Sequence, residues 1–185
     1  MPADNGQFPF STDSFWGNIF SRKSRSLDDI TYTLSKSVLF ASMNKAELQE
    51  FEKIIHRRTF KANEAVFWEG EPGVGMYIVK SGSVGIYNIT PDHGKKEIAV
   101  LKSGEFFGEL ALLDDSPRSA TCISKENSEI IGLFRPDLFG LLERKPRLGN
   151  KFLFQLATVI GERLREKNRE LYAYKSKLDS TEIIV

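Results

Sequence analysis

The feature that most constrains this chain is a change of hydrophobic period. Between Phe60 and Phe134, "EAVFWEG", "GMYIVKSGSVGIYNI", "KKEIAVL", "SATCIS" and "SEIIGLF" are short runs rich in Val, Ile, Phe and Tyr. Turn clusters such as "EGEPG", "KSGS" and "TPDHG" separate them. Runs of this length, punctuated by Gly, Pro, Asp and Ser, read as β-strands and turns. Several short strands without intervening helices predict a β-sandwich or jelly roll rather than an alternating α/β fold. Its core is expected from Val66, Tyr77, Val79, Val84, Ile86, Ile98, Val100, Ile123, Ile131 and Leu133.

Helical patterns flank this region. From Leu27 to His56, "SMNKAELQEFEKIIHR" offers Ser42 or Asn44 as a cap ahead of Leu48, Phe51, Ile54 and Ile55 at three- and four-residue steps. From Pro136 onward, Leu153, Ala157, Ile160, Leu164, Lys167, Leu171, Tyr174 and Leu178 follow alternating steps of four and three. Such a seam predicts a parallel homodimeric contact between two copies of the helix, since a helix lying on its own domain shows a broader stripe. Lys167 interrupts the seam, either as a register-setting polar residue or because something other than a partner side chain lies beside it.

The reading divides the chain into residues 1–26 as an N-terminal arm, 27–144 as a β-roll with its helical lead-in and hinge, 145–179 as a dimerisation helix and 180–185 as a tail. In the arm, Phe15, Trp16, Ile19 and Phe20 repeat at helical spacing ahead of Arg22, Lys23 and Arg25. That knot fits a membrane-surface or partner-binding helix, or an arm folded back on its own roll.

Charge and composition exclude several functions. Lys and Arg number 26 against 25 Asp and Glu, so no global field draws nucleic acid or an anionic membrane. The single cysteine, Cys122, precludes an internal disulfide and cysteine-built zinc sites, and fits a reducing, cytoplasmic setting. No cationic leader and no long uncharged apolar run is read, so neither secretion nor a transmembrane segment is expected. Jelly rolls can host metal-dependent enzymes, but His56 and His93 are the only histidines and neither has another nearby in sequence. No G-x-S-x-G elbow or P-loop occurs, and "GVGMYI" lacks the third glycine of a dinucleotide turn. No catalytic residues and no metal site are expected.

One constellation points to a ligand. In "GEFFGELALLDDSPRSATC", Gly108 precedes a run able to form one short helical turn with outward N–H groups, and Pro117 fixes the approach of Arg118. A guanidinium grips two oxygens of an anion through parallel hydrogen bonds. Glu109 is an acceptor and repels anions, so its natural client is a hydroxyl. On charge alone two readings stand. Glu109 and Arg118 neutralise each other across a loop, or they meet the hydroxyl and the phosphate of one sugar phosphate or nucleotide.

"FGELALLDDSPRSA" resembles the phosphate-binding cassette of the cyclic nucleotide-binding domain family, where a G-E-[LI]-[AG] turn is followed by P-R-[AST]-A. Gly108, Glu109, Leu110, Ala111, Pro117, Arg118, Ser119 and Ala120 fit. "LFASMNKAELQEF" and "VFWEGEPGVGMYIVKSGSVGIY" resemble the family's lead-in and first strands. The resemblance, spanning about Leu39 to Tyr174, implies a mainly β fold: a β-roll preceded by a helical lead-in and followed by a hinge and a long C-terminal helix. It implies that Arg118 pairs with the exocyclic oxygens of a 3′,5′-cyclic phosphate, assisted by the N–H groups of Leu110 and Ala111. Glu109 would accept the ribose 2′-hydroxyl, and Ser119 would contact phosphate or base. Ser119 rather than Thr leans towards cAMP over cGMP. By position on the dimer helix, Lys167 and Asn168 are candidate base contacts.

Only "SKLDSTEIIV" follows that helix, so no output domain is expected. The expected function is a stand-alone, non-catalytic, homodimeric sensor that needs no cofactor beyond its ligand and acts on an effector protein the sequence does not name. The alternatives are a nucleotide-independent dimeric scaffold and a jelly-roll metalloenzyme.

Overall fold

The computed structural model describes residues 27–90 and 94–182. The aromatic knot of the N-terminal arm and the turn carrying His93 lie outside them.

Among the described residues, two helices come first, α1 (Leu27–Lys36) and α2 (Lys45–Glu52), with a short 3-10 turn at Val38–Phe40 between them. Of the two cap candidates, Asn44 starts α2. Its side chain accepts from Glu47 N–H while the Glu47 carboxylate accepts from Asn44 N–H, so two otherwise orphaned donors are satisfied reciprocally. The helix ends at Glu52, short of the Ile54 and Ile55 steps that its spacing had suggested.

Ile55–Phe60 instead forms strand β1. Its sequence "IHRRTF" hides a strand because its arginines have cross-strand work. Arg57 reaches Glu129 at 3.1 Å and Asp29 at 3.4 Å, and Lys80 completes the network at 2.6 Å from Glu129 and 2.9 Å from Asp29.

The remaining strands are β2 (Ala65–Phe67), β3 (Gly75–Ser81), β4 (Val84–Thr90), β5 (Gly94–Leu101), β6 (Phe106–Phe107), β7 (Thr121–Ser124) and β8 (Ser128–Phe134). They form two four-stranded antiparallel sheets, ordered β1-β8-β3-β6 and β2-β7-β4-β5, and so build the expected β-roll. The first sheet is covered on both faces. Met76, Ile78, Ile131 and Leu133 belong to the core shared with the helices, whereas Tyr77, Val79 and Ile130 belong to the core that also holds Val84 and Cys122 of the second sheet. Two covered faces explain why β3 and β8 read as nearly unbroken apolar runs.

Most of the expected core is found, with one exception. Ile98 is 55 % exposed. The β4–β5 register passes from Ile86↔Ala99 to Tyr87↔Glu97, so Ile98 is the extra residue of a bulge on an edge strand. Val66 and Ile86 are half-buried against the inner core, and Val100 is half-buried.

The chain closes with α3 (Arg135–Arg144) and the 37-residue α4 (Pro146–Glu182). Pro136 sits in the first turn of α3, where the missing N–H costs no helical bond. In α4, Leu148, Phe152, Leu156 and Val159 are buried against the domain. Phe152 meets Phe40 and Phe51 at centroid distances of 5.4 and 5.0 Å, forming an aromatic cluster that joins lead-in to helix. Further along, the seam residues Leu164, Leu171, Tyr174 and Leu178 are all more than half exposed. Among the described residues, no helix is long and apolar enough to cross a membrane.

Candidate ligand-binding site

The segment from Gly104 to Cys122 is a compact bracket between the two sheets. Gly108 adopts φ +70°, which carries the chain from β6 into a 3-10 turn at Glu109–Leu112. A Cβ at Gly108 would stand 2.6 Å from the Arg118 Nη1, so glycine is required both for its backbone and for the approach of that side chain. On the other flank, Gly73 lets the 72–74 loop lie flush on the turn, since a Cβ there would be 2.6 Å from the Ala111 Cβ.

The backbone of Arg118 is held by the two residues just before that loop and by its first proline. Its N–H donates to Glu71 O at 2.8 Å, and its carbonyl accepts from Gly70 N–H at 2.9 Å. Pro72 and Pro117 face each other in an isolated antiparallel bridge. The side chain turns inward and is only 6 % exposed. Nη1 donates to Gly75 O at 2.8 Å and Gly108 O at 3.1 Å, and the guanidinium lies 4.1 Å from the Phe67 ring centroid. Burial lowers its pKa, yet a guanidinium stays cationic in proteins. The Nε atom of Arg118 is buried without a hydrogen-bond partner. A buried cation with an unused donor fits a group carrying anionic oxygens.

Glu109 does not spend its charge on Arg118. Its Oε1 accepts from the Arg163 Nη1 at 2.8 Å, and its side chain is 12 % exposed. Arg163 comes from α4 and is itself fixed, with its guanidinium 4.0 Å from the Phe106 ring centroid and Nη2 donating to Phe106 O at 3.3 Å. Of the two charge-based readings, the Glu109–Arg118 pair is therefore not what forms.

Other expected features take different partners. The Ala111 N–H is not idle but donates to Gly108 O at 3.3 Å. Asp115 pairs with Arg135, and Asp114 accepts from the Ser116 N–H and hydroxyl. Arg135, the first residue of α3, also donates Nε and Nη2 to Ala111 O at 3.0 and 2.6 Å, tying the hinge helix to the 3-10 turn. Leu110 and Ser119 are exposed and Ala120 is half-buried. Lys167 is engaged with Glu170 on its own helix at 2.8 Å, and Asn168 is exposed.

Arg163 lies outside the cassette and is not among the residues expected from the sequence. A signal was present. Leu148, Phe152, Leu156 and Val159 form the domain-facing stripe of α4, and the next position on that stripe is 163. A charged residue there asks for a specific partner.

Cys122 is buried beside Arg118, and desolvation pushes its thiol up to about 12, so it is held as a neutral thiol. His56 pairs with Asp137 at the start of α3 at 2.9 Å. Among the described residues, no group of three or more His, Cys, Asp and Glu side chains converges as metal ligands would.

Residues 57–145 match the family model described as "Cyclic nucleotide-binding domain". The chain is 33 % identical over 135 residues to the "Cyclic AMP receptor protein" of Thermus thermophilus, covering 73 % of this chain and 61 % of that protein. It is 27 % identical over 138 residues to the "CRP-like cAMP-activated global transcriptional regulator" of Mycobacterium tuberculosis, covering 75 % and 60 % respectively. The crystal structure of the Thermus thermophilus Catabolite Activator Protein matches with a TM-score of 0.67 at 32 % identity, over 73 % of this chain and 62 % of that one. The chain thus spans about three-fifths of the length of these curated relatives.

Proposed function

Because the chain belongs, through residues 57–145, to the cyclic nucleotide-binding domain family, we propose that it is a regulatory protein that binds a 3′,5′-cyclic nucleotide, cAMP in preference to cGMP. The observation that carries this reading is the state of Arg118. It is a buried cation with an idle Nε, and the nearby carboxylate of Glu109 is neutralised by a different residue. That division leaves Arg118 for the cyclic phosphate and Glu109 for the ribose 2′-hydroxyl. Gly108, Leu110 and Ala111 supply the turn around the phosphate, Ser119 and Ala120 flank it, and Lys167 and Asn168 stand on the helix as base contacts. Preference for cAMP is supported by Ser119 and by the two bacterial relatives, a cyclic AMP receptor protein and a cAMP-activated regulator.

Binding acts on the C-terminal helices by population shift, because both are tied to the ligand turn. Arg135 of α3 holds the Ala111 carbonyl, and Arg163 of α4 holds Glu109. Residues 27–144 form the sensing unit, and 145–179 form a helix that pairs with a second copy along Leu164, Leu171, Tyr174 and Leu178. The protein works in the cytoplasm without catalysis, through an effector protein.

Calorimetric titration with cAMP and with cGMP tests the reading. One site per chain, tighter for cAMP, is expected, and heat from neither nucleotide overturns it. Sedimentation tests the pairing: Leu164→Lys with Leu171→Lys should convert dimer to monomer, and a monomeric wild type refutes the helix contact.

A further inference from the structure

Four large apolar side chains stand in solvent around the junction of the ligand turn and the hinge helix. Val74, Leu110, Leu113 and Phe139 are 43, 48, 53 and 50 % exposed. Leu110 and Leu113 are three residues apart along the 3-10 turn, a spacing that stacks side chains on one face. Val74 is brought beside them because the neighbouring Gly73 lies flush on Ala111, and its carbonyl accepts from the Arg135 N–H at 2.9 Å. Phe139 follows Arg135 by one turn of α3, and Arg135 reaches back to the Ala111 carbonyl at 2.6 Å. The patch thus gathers three separate segments. Its rim is acidic, with the exposed Asp114 and Asp115 just past Leu113 and the exposed Glu143 one turn past Phe139, and Arg135 pairs with Asp115 alone of the three. An exposed apolar grouping with a charged rim is the signature of an interaction site.

We propose that this patch seats the chain's own N-terminal aromatic segment, Phe15, Trp16, Ile19 and Phe20. Three observations single out that occupant. The segment is apolar and is followed closely by Arg22, Lys23 and Arg25, cations that match an acidic rim. Its side chains gain by leaving water, and a stretch as short as 15–20 has no interior of its own in which to bury them. The tether is also long enough. Asp29 lies 2.9 Å from Lys80, near one end of β3, and Val74 precedes the other end. The five steps from Gly75 to Lys80 span about 17 Å, whereas the seven steps from Phe20 to Leu27 reach about 25 Å when extended. Seated there, the segment bridges the ligand turn and α3, the same two parts that Arg135 joins. The proposal does not depend on nucleotide binding, so its failure leaves that reading untouched.

Limited trypsin digestion of the full chain tests it, since a docked segment is cut after Arg22, Lys23 and Arg25 only in the molecules that have released it. Leu113→Asp with Phe139→Asp should speed that cleavage by about tenfold or more, the effect of losing one buried apolar side chain. Both positions are about half exposed, so the change removes no core packing. Phe15→Asp with Phe20→Asp should release the segment equally. Tyr32→Asp with Phe154→Asp, at exposed apolar positions elsewhere, should leave the rate unchanged. In a Trp68→Phe background Trp16 is the remaining tryptophan, and its emission should be that of a buried indole and move to the red in the patch variant. An exposed Trp16 beside the unaltered patch, or cleavage that the patch variant does not change, overturns the proposal. So does equal release by the Tyr32 and Phe154 control, which would place the segment elsewhere. Release that depends on protein concentration would give the patch to a second copy. Trp16 emission that turns blue only with vesicles of anionic phospholipid would give the segment to a membrane surface. Either result overturns the proposal as well.

Discussion

The Arg118 guanidinium lies 4.1 Å from the Phe67 ring centroid, with Nη1 shared between the carbonyls of Gly75 and Gly108. An aromatic face and two carbonyl dipoles stabilise a cation without neutralising it. The charge is thus held in place without a salt bridge among the described residues, a different arrangement from a buried ion pair.

Replacing Arg118 by Ala should weaken cyclic nucleotide binding by about 2 to 5 kcal/mol, or about 30- to 4,000-fold in Kd, because a desolvated phosphate loses its partner. Calorimetry on Arg118→Ala checks this. Equal affinities for variant and wild type would remove Arg118 from the site.

Gly108→Ala places a Cβ 2.6 Å from the Arg118 Nη1 on a residue at φ +70°. The left-handed backbone alone should cost about 1 to 2 kcal/mol of stability, and the displaced guanidinium should weaken nucleotide binding in addition. Urea denaturation and titration of the same variant measure the two effects. A variant as stable as wild type would mean that the turn relaxes without strain.

Lys80 holds the Asp29 carboxyl below the usual carboxylate range, chiefly by a hydrogen bond and then by its charge, with Arg57 adding to the effect against desolvation. A depressed folded pKa gives stability that is fully present above the unfolded value, about 4, and lost as pH falls through the folded value. Asp29→Asn should therefore be less stable than wild type at pH 7, with the gap narrowing below about pH 4. Denaturation curves at pH 7 and pH 3 test the sign. A gap of the same size at both would show that the carboxylate's charge contributes nothing.

Phe152 is fully buried and touches Phe40 and Phe51, so Phe152→Ala opens a cavity at the junction of lead-in and α4. A loss of about 3 to 5 kcal/mol is expected. Thermal unfolding checks it, and a loss below about 1 kcal/mol would mean that the helix repacks over the gap.

The ligand turn was legible in the sequence because its chemistry is local. Gly108, Glu109, Pro117 and Arg118 lie within eleven residues, and the turn they make depends on glycine's φ and proline's rigidity. The strands were legible wherever Val, Ile, Phe and Tyr cluster. β1 was not, because "IHRRTF" is apolar only at its ends, where Ile55 and Phe60 pack against the two cores, and the partners of Arg57, Glu129 and Asp29, come from distant segments. Ile98 misled for the opposite reason: it looks like a core residue, and a bulge on an edge strand turns it to solvent.

By itself, the sequence determined which charges exist near the ligand turn and what each can bind: a cation for phosphate, a carboxylate for a hydroxyl. Only the tertiary structure decided which charge meets which. Glu109 faces Arg163 and Arg135 faces the Ala111 carbonyl because helices and sheets packing around the two cores bring together groups 54 and 24 residues apart. Single polar contacts at that separation do not close such loops on their own, since the chain entropy of bringing the ends together exceeds what one ion pair or hydrogen bond returns. Hydrophobic burial closes them, and the charges then take the neighbours that packing has left within reach.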